Sequence, residues 1–270
     1  MPYAKGFSPH IRSSASVPQI FWQMILALLP VLAVSIFFKG WLVLRTASVS
    51  MATAILSEWV MATLFKKKAA FENGTSVLTG LLLSLTLPYD LSSGMVMLGS
   101  FFSVGVAKEM FGGMGANPFH PAVAGHVFLH VCFPHFIGSP LVDLGWPAIL
   151  ALGFGGLVLM GQRIIFWEIP LIYGTALGLF SFVFGFDPWA ILFSGSCFLS
   201  AFFLITDPAT TPLTRNGVRF FAFGGAALGA LLRSGSYDPG GIYFPILLMN
   251  AASPWLDVWF KPALLRKMKY

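Results

Sequence analysis

Residues Lys108 to Gly125 read KEMFGGMGANPFHPAVAG and lie between two long apolar runs. In a helix interior, glycine costs about 1 kcal/mol and proline about 3 kcal/mol. Gly112, Gly113 and Gly115, followed by Asn117-Pro118-Phe119-His120-Pro121, therefore break the backbone here. A break in an apolar chain frees N–H and C=O groups. At membrane depth such groups persist only inside protein or beside a polar cavity. The candidate site is therefore placed at this break.

The rest of the chain supplies the membrane setting. Of 270 residues, 57% are hydrophobic and 10% charged, against about 25% charged in a soluble domain; the mean hydropathy is +0.81. Apolar runs fall at 18–38, 43–65, 75–88, 92–110, 117–133, 145–162, 166–186, 188–205, 217–234 and 239–260. A spanning helix takes about 20 residues, so these runs leave no room for a soluble domain. The expectation is one all-α integral membrane domain over 1–270, with about ten transmembrane helices. Run 75–88 has only 14 residues, about 21 Å of helix against a core of about 30 Å. It cannot span alone. Its Thr75, Ser76, Thr79, Ser84 and Thr86 suit either helix packing or the lining of a cavity.

The net charge of +6 and pI near 9.5 follow the positive-inside rule and are not the footprint of a nucleic-acid partner. With the amino end inside, the inner segments collect Lys5, Arg12, Lys66–Lys68, Lys108, Arg163, Arg215, Arg219, Lys261, Arg266, Lys267 and Lys269. The outer ones collect Lys39, Arg45 and Arg233. Both termini are expected in the cytoplasm. Residues 1–17 have no apolar core of a cleaved signal peptide. Cys132 and Cys197 lie in apolar runs and read as small hydrophobes; neither a disulfide nor a metal site is assigned.

A weak internal echo aligns TGLLLSLTLP (79–88) with SAFFLITDP (200–208), and Phe119-His120-Pro121 with Tyr243-Phe244-Pro245. Each half then holds five segments, about 18–133 and 145–260. An odd number inverts the second half, the pattern of inverted repeats with broken helices near a site. The second half supplies breaks at TDPATTPLTRNG (206–217) and RSGSYDPGG (233–241).

Several polar residues fall where lipid is expected. Glu58 in run two is a functional candidate or a bonded packing residue. His126 and His130 share a helix face and suit a proton relay or packing better than a metal. Lys108 either snorkels or aims at an anion over Gly112-Gly113, where successive N–H groups could form a nest. Asp207 reads as a loop cap or as an ion or proton ligand. Gly112, Gly113, Asn117 and His120 are expected to meet Asp207 and Tyr243 at one central or inner polar cavity.

The stretches SSASVPQIFWQMILALLP, NGTSVLTGLLLSLTLP, AKEMFGGMGANPFHPA, AFFLITDPATTP and PILLMNAASPWLD cover nearly the whole chain in order. They resemble a family of membrane subunits that comprises the D subunit of the Rnf ion-translocating electron-transport complex and the B subunit of the sodium-translocating NADH:quinone oxidoreductase. The resemblance implies a ten-helix inverted-repeat fold similar to urea transporters, in a bacterial inner-membrane complex with other membrane and flavoprotein subunits. It also implies electron flow through flavins coupled to sodium or proton movement, with this chain a non-autonomous part of a redox-driven translocase. A flavin (FMN or riboflavin) would meet Lys108, Gly112, Gly113, Asn117, His120, Asp207 and Tyr243, with Glu58, His126 and Asp207 on the ion or proton pathway.

Two departures qualify the likeness. His120 stands where the family usually has a second Asn. The family's covalent FMN hangs on the Thr of a Ser-x-Ala-Thr stretch in a long outer loop, whereas Pro134–Gly145 (PHFIGSPLVDLG) has no threonine. Ser50-Met51-Ala52-Thr53 lies inside run two, and Thr210 belongs to the inner Asp207-Pro208 turn. Any flavin is therefore expected to be non-covalent. The alternative is a stand-alone channel or transporter for a small solute on the same fold.

Overall fold

The computed structural model describes residues 17–67, 71–235 and 242–261, among which there are eleven α-helices and no strand. Gly40, with φ 70°, turns α1 (Val17–Lys39) into α2 (Trp41–Leu64). These two helices and the stretch Ser93–Phe111 are long and apolar enough to cross a bilayer. That stretch is α4 (Ser93–Phe101) continued by a π turn, Phe102–Val106.

Helix α3 (Thr75–Thr86) has 12 residues and buries all of them except Val77. It is about 18 Å long, too short to span, as its run of sequence foretells. A helix buried on all sides belongs at the centre, and α3 packs against α1, α2, α4 and α5. Its approach to α2 depends on Gly80, where a Cβ would lie 2.7 Å from the Met51 Cα. The Ser50 hydroxyl donates to the Gly80 carbonyl at 2.7 Å and lies 2.9 Å from the Ser100 hydroxyl, joining α2, α3 and α4.

Helix α5 (Pro121–Cys132) starts four residues later than its apolar run, because the helix waits for Pro121 at its first position. The second half holds α6 (Trp146–Gly161), α7 (Glu168–Val183), α8 (Pro188–Leu192), α9 (Gly195–Leu199), a π turn (Ser200–Leu204), α10 (Arg215–Gly235) and α11 (Tyr243–Trp259). The continuous run expected at 188–205 is thus divided. Asp187 caps α8 by accepting from Trp189 N, and Ser194 caps α9 by accepting from Cys197 N. Side-chain acceptors of this kind start new helices. Gly195 is required there, since a Cβ would fall 1.8 Å from the Val142 carbonyl oxygen.

The short loop between α5 and α6 ties these parts together. Leu141 N donates to Leu87 O at 2.9 Å, just past the end of α3. Asp143 accepts from Ser196 N at 2.8 Å and Ser196 Oγ at 2.7 Å, at the start of α9. Between the halves, α1 packs on α6 and α5 on α11, while α7, α10 and α11 form a second cluster. Leu26, Phe37, Leu150, Phe154, Phe182 and Trp255 are each more than half exposed; so large an apolar outer surface is what a bilayer covers.

Chain alternation gathers the ends of α2, α4, α6 and α11 with the starts of α7 and α10, so Lys67, Lys108, Arg163, Arg215, Arg219 and Lys261 share one basic end. Lys39, Arg45 and Arg233 belong to the other. Residues 1–16, 68–70, 236–241 and 262–270 lie outside the described residues, and with them the two termini whose placement was expected in the cytoplasm.

Replacing Gly195 by Ala should lower the thermal unfolding midpoint in detergent by several degrees, an overpacking cost of about 1–3 kcal/mol. The comparison is Gly94→Ala, where no atom lies within 4 Å of the added carbon. Equal midpoints for the two variants would show that the loop does not clamp α9.

Candidate functional site

The site is built where α3 begins. Gly74, in the left-handed conformation, delivers Thr75 and Ser76 to the first turn. The Lys108 ammonium donates to Thr75 Oγ1 at 2.8 Å and Ser76 Oγ at 2.9 Å. Ser76 Oγ in turn donates to Glu58 Oε2. The same ammonium lies 3.8 Å from Glu58 Oε2 and 3.5 Å from Glu109 Oε1. Lys108, Glu58 and Glu109 are all buried. These two carboxylates and one ammonium sum to one formal negative charge. Burial makes that charge costly unless a proton or a cation joins it.

This arrangement decides between the readings of Lys108. It does not snorkel, and it does not face an anion over the glycines. The Gly112 and Gly113 amides, with φ of 121° and 95°, donate to Glu109 O and Lys108 O. Gly115 N donates to Asn117 Oδ1 at 3.2 Å. The loop's N–H groups are used inside the loop, so the anion nest is not formed.

Asn117 staples the break further by donating from Nδ2 to Phe119 O at 3.0 Å. His120 caps α5, its Nδ1 accepting from Val123 N at 3.4 Å. Its own backbone N–H donates to Asn250 Oδ1 at 3.0 Å. Asn250 lies on α11, and its Nδ2 donates to Thr210 O at 3.3 Å. Ser253, one helical turn on, donates to the same carbonyl at 3.0 Å. Asp207 behaves as the cap of that second break. Its Oδ2 accepts from Thr210 Oγ1 at 2.9 Å, and its backbone carbonyl accepts from Thr211 N at 3.2 Å and Thr211 Oγ1 at 2.9 Å.

Lys108, Asn117, His120 and Asp207 thus meet, together with Thr75 and Thr79, around a cavity of about 30 Å³. That is room for a single water. Glu58 and Ser76 line a neighbouring cavity of about 110 Å³, so the Lys108 cluster stands between the two. Both π turns lead into this region. The i→i+5 bonds Ala107 N to Phe102 O and Ile205 N to Ser200 O, each 2.9 Å, close just before Lys108 and Asp207. A π turn inserts one residue and re-aims the side chains beyond it, and such turns are frequent at functional sites.

Gly112, Gly113 and Tyr243, also expected at this cavity, are not among the residues that line it. Tyr243 starts α11 at the end away from the basic one, and its ring centre is 4.4 Å from that of His126. His126 is buried and stacks toward His130 at 6.1 Å. The common cavity expected for Tyr243 and His120 is therefore corrected. Asn250 is the member that sequence reasoning missed; a lone amide in an apolar helix was the signal available.

A profile of the NQR2, RnfD, RnfE family matches residues 5–148 and 135–266. The chain is 32% identical to the D subunit of the ion-translocating oxidoreductase complex of Methanosarcina acetivorans, over 93% of this chain and 92% of that one. It is 31% identical to the D subunit of the Na(+)-translocating ferredoxin:NAD(+) oxidoreductase complex of Acetobacterium woodii, over 94% and 92%. It is 30% identical to the D subunit of the proton-translocating ferredoxin:NAD(+) oxidoreductase complex of Clostridium ljungdahlii, over 94% and 93%. The last two alignments span 293 and 309 positions, more than the 270 residues of this chain, so those relatives carry residues without a counterpart here.

Replacing Asn250 by Leu leaves the buried His120 N–H without its acceptor, a loss of about 1–3 kcal/mol. Ser253→Ala leaves Thr210 O still bonded to Asn250 and should lower the unfolding midpoint less. Lys108→Met should be more damaging than either, on the order of 3–5 kcal/mol, because it strands buried carboxylates. Adding Glu58→Gln to Lys108→Met should recover part of that loss. An additive double-variant cycle would show that the two side chains are not coupled.

Proposed function

The chain belongs to the NQR2, RnfD, RnfE family, and on that premise we propose that it is the membrane subunit of an ion-translocating electron-transport complex of the Rnf type. In this reading it helps couple flavin-mediated electron transfer to sodium or proton movement across a bacterial inner membrane, beside other membrane and flavoprotein subunits. The observation that carries the ion-handling part is the buried Glu58–Ser76–Lys108–Glu109 cluster, which sets two carboxylates around one ammonium. The polar cavity of about 30 Å³ supports a part that works within a complex better than a stand-alone solute pore.

Two five-helix halves running in opposite directions account for the order of elements. The short α3 corresponds to α9, α1 to α6 and α5 to α11, and the packing of α1 on α6 and of α5 on α11 suits a pseudo-two-fold axis. This is the inverted-repeat architecture similar to urea transporters. With the basic end in the cytoplasm, both termini lie there too.

The flavin that the family implies does not fit the residues first assigned to it. A cavity of about 30 Å³ is an order of magnitude below the roughly 300–1,000 Å³ of ordinary ligand pockets. No electron step is routed through Lys108, Asn117 or His120. A flavin associated with this chain is held elsewhere and without a covalent bond. In the outer loop the hydroxyl is that of the exposed Ser139, and Thr53 lies inside α2.

Tagging the chain should co-purify further membrane subunits and a flavoprotein. Membrane vesicles lacking the chain should lose redox-driven ion accumulation and regain it with the native chain. Glu58→Gln and Asp207→Asn should assemble with the partners yet restore accumulation poorly. Isolated chain that conducts a small solute in liposomes, with no partners recovered, would overturn the proposal in favour of the transporter. On a denaturing gel, after expression beside a flavin transferase, no fluorescent band is expected at the mass of this chain; such a band would refute non-covalent binding.

A further inference from the structure

Beside the inner break, on the other side of the Thr206–Pro212 turn, lies a cavity of about 430 Å³. Its walls include Phe166, Ile169 and Val218, and its polar groups include Glu168, Arg215 and Arg219. Arg215 and Arg219 are four residues apart on α10 and so share a face. Between them stands the Glu168 carboxylate, which accepts from Arg219 Nε at 2.7 Å and from Arg215 Nη2. Arg219 Nη1 donates to Asn216 Oδ1 at 3.2 Å. Two guanidinium groups against one carboxylate leave a formal charge of +1 at the mouth of an apolar chamber. A guanidinium fork matches phosphate oxygens in pairs, which an ammonium does not.

We propose that this cavity binds an anionic phospholipid of the adjoining leaflet, its phosphate on Arg215 and Arg219 and the start of an acyl chain against Ile169 and Val218. Three observations favour a lipid over a soluble anion. The apolar chamber is of no use to a bare phosphate. The arginines lie at the basic end, at the level where helices α7 and α10 begin. The rim residues Phe166 and Leu213 are 69% and 90% exposed on an apolar surface that a bilayer covers. Basic pockets between helices at a membrane surface recognise headgroups in this way.

Native mass spectrometry of the full chain in detergent tests the assignment, with phosphatidylglycerol and phosphatidylcholine added separately. Phosphatidylglycerol should bind at roughly fivefold lower concentration, as a net charge of one at about 1 kcal/mol per basic residue predicts. Arg215→Gln with Arg219→Gln should remove that preference, whereas Lys261→Gln, at the same basic end, should keep it. Val218→Trp fills the chamber and leaves both arginines in place; it should lower phosphatidylglycerol occupancy even if the double variant proves unstable. Equal binding of the two lipids, or equal loss in Lys261→Gln, would overturn the proposal. Displacement of phosphatidylglycerol by free FMN but not by riboflavin would assign the cavity to a soluble phosphoester and overturn it too. Displacement by neither supports the lipid.

Discussion

One amide side chain holds the two broken segments to each other. Asn250 accepts from the backbone N–H of His120 and donates to the backbone carbonyl of Thr210, residues separated from it by 130 and 40 positions. A broken helix inside a membrane protein leaves backbone groups that lipid cannot satisfy. Here the N–H freed at one break and the C=O freed at the other are satisfied by a single residue on a third element. Because Asn offers one acceptor and two donors, the orientation that serves His120 also serves Thr210. The small polar cavity lies where the two breaks come together, with Asn117 and His120 from one and Asp207 from the other in its lining.

The second constraint is the charge beside that cavity. A buried lysine is tolerated when carboxylates and hydroxyls surround it, and Lys108 has two of each. The hydroxyls come from the first turn of α3, so the shortness of that helix decides where they stand. A helix long enough to span would carry its first turn to the membrane surface. Stopping short leaves Thr75 and Ser76 at the depth of Lys108 and Glu58.

Much of this was legible in the residues themselves. The glycine and proline content of Lys108–Pro121 located the break, the 14-residue run marked α3 as too short, and a cap was one of the two readings open for Asp207. Three features were not. The division of run 188–205 comes with the Asp187 and Ser194 caps, and it places Gly195 where only a residue without a Cβ fits against Val142 O, 53 positions away. The Gly112-Gly113 turn was open to two readings until its amides were seen bonded within the loop. Tyr243 was misplaced by the very echo that pointed to a repeat. A segment that enters α5 at the basic end and a matching segment that enters α11 at the opposite end start on different sides of the molecule. The likeness of Phe119-His120-Pro121 to Tyr243-Phe244-Pro245 therefore argues against a shared cavity.

The Thr206–Pro212 turn is a thin wall with two faces. Asp207 and Ala209 line the small polar cavity, while Thr206, Pro208 and Thr211 line the large apolar one. From Thr206 to Ala209 the residues alternate between the two cavities, so a shift of this part of the turn toward one is a shift away from the other. Resistance to that shift is local: Thr210 O takes hydrogen bonds from both Asn250 and Ser253, and Asp207 is tied to Thr210 and Thr211. The wall is thus anchored to α11 at one residue, and α11 also holds the break at His120. A displacement of Thr210 stretches its bonds to Asn250 and Ser253. The wall of the large cavity and the break at His120 are in this way joined through α11, by Asn250 and Ser253.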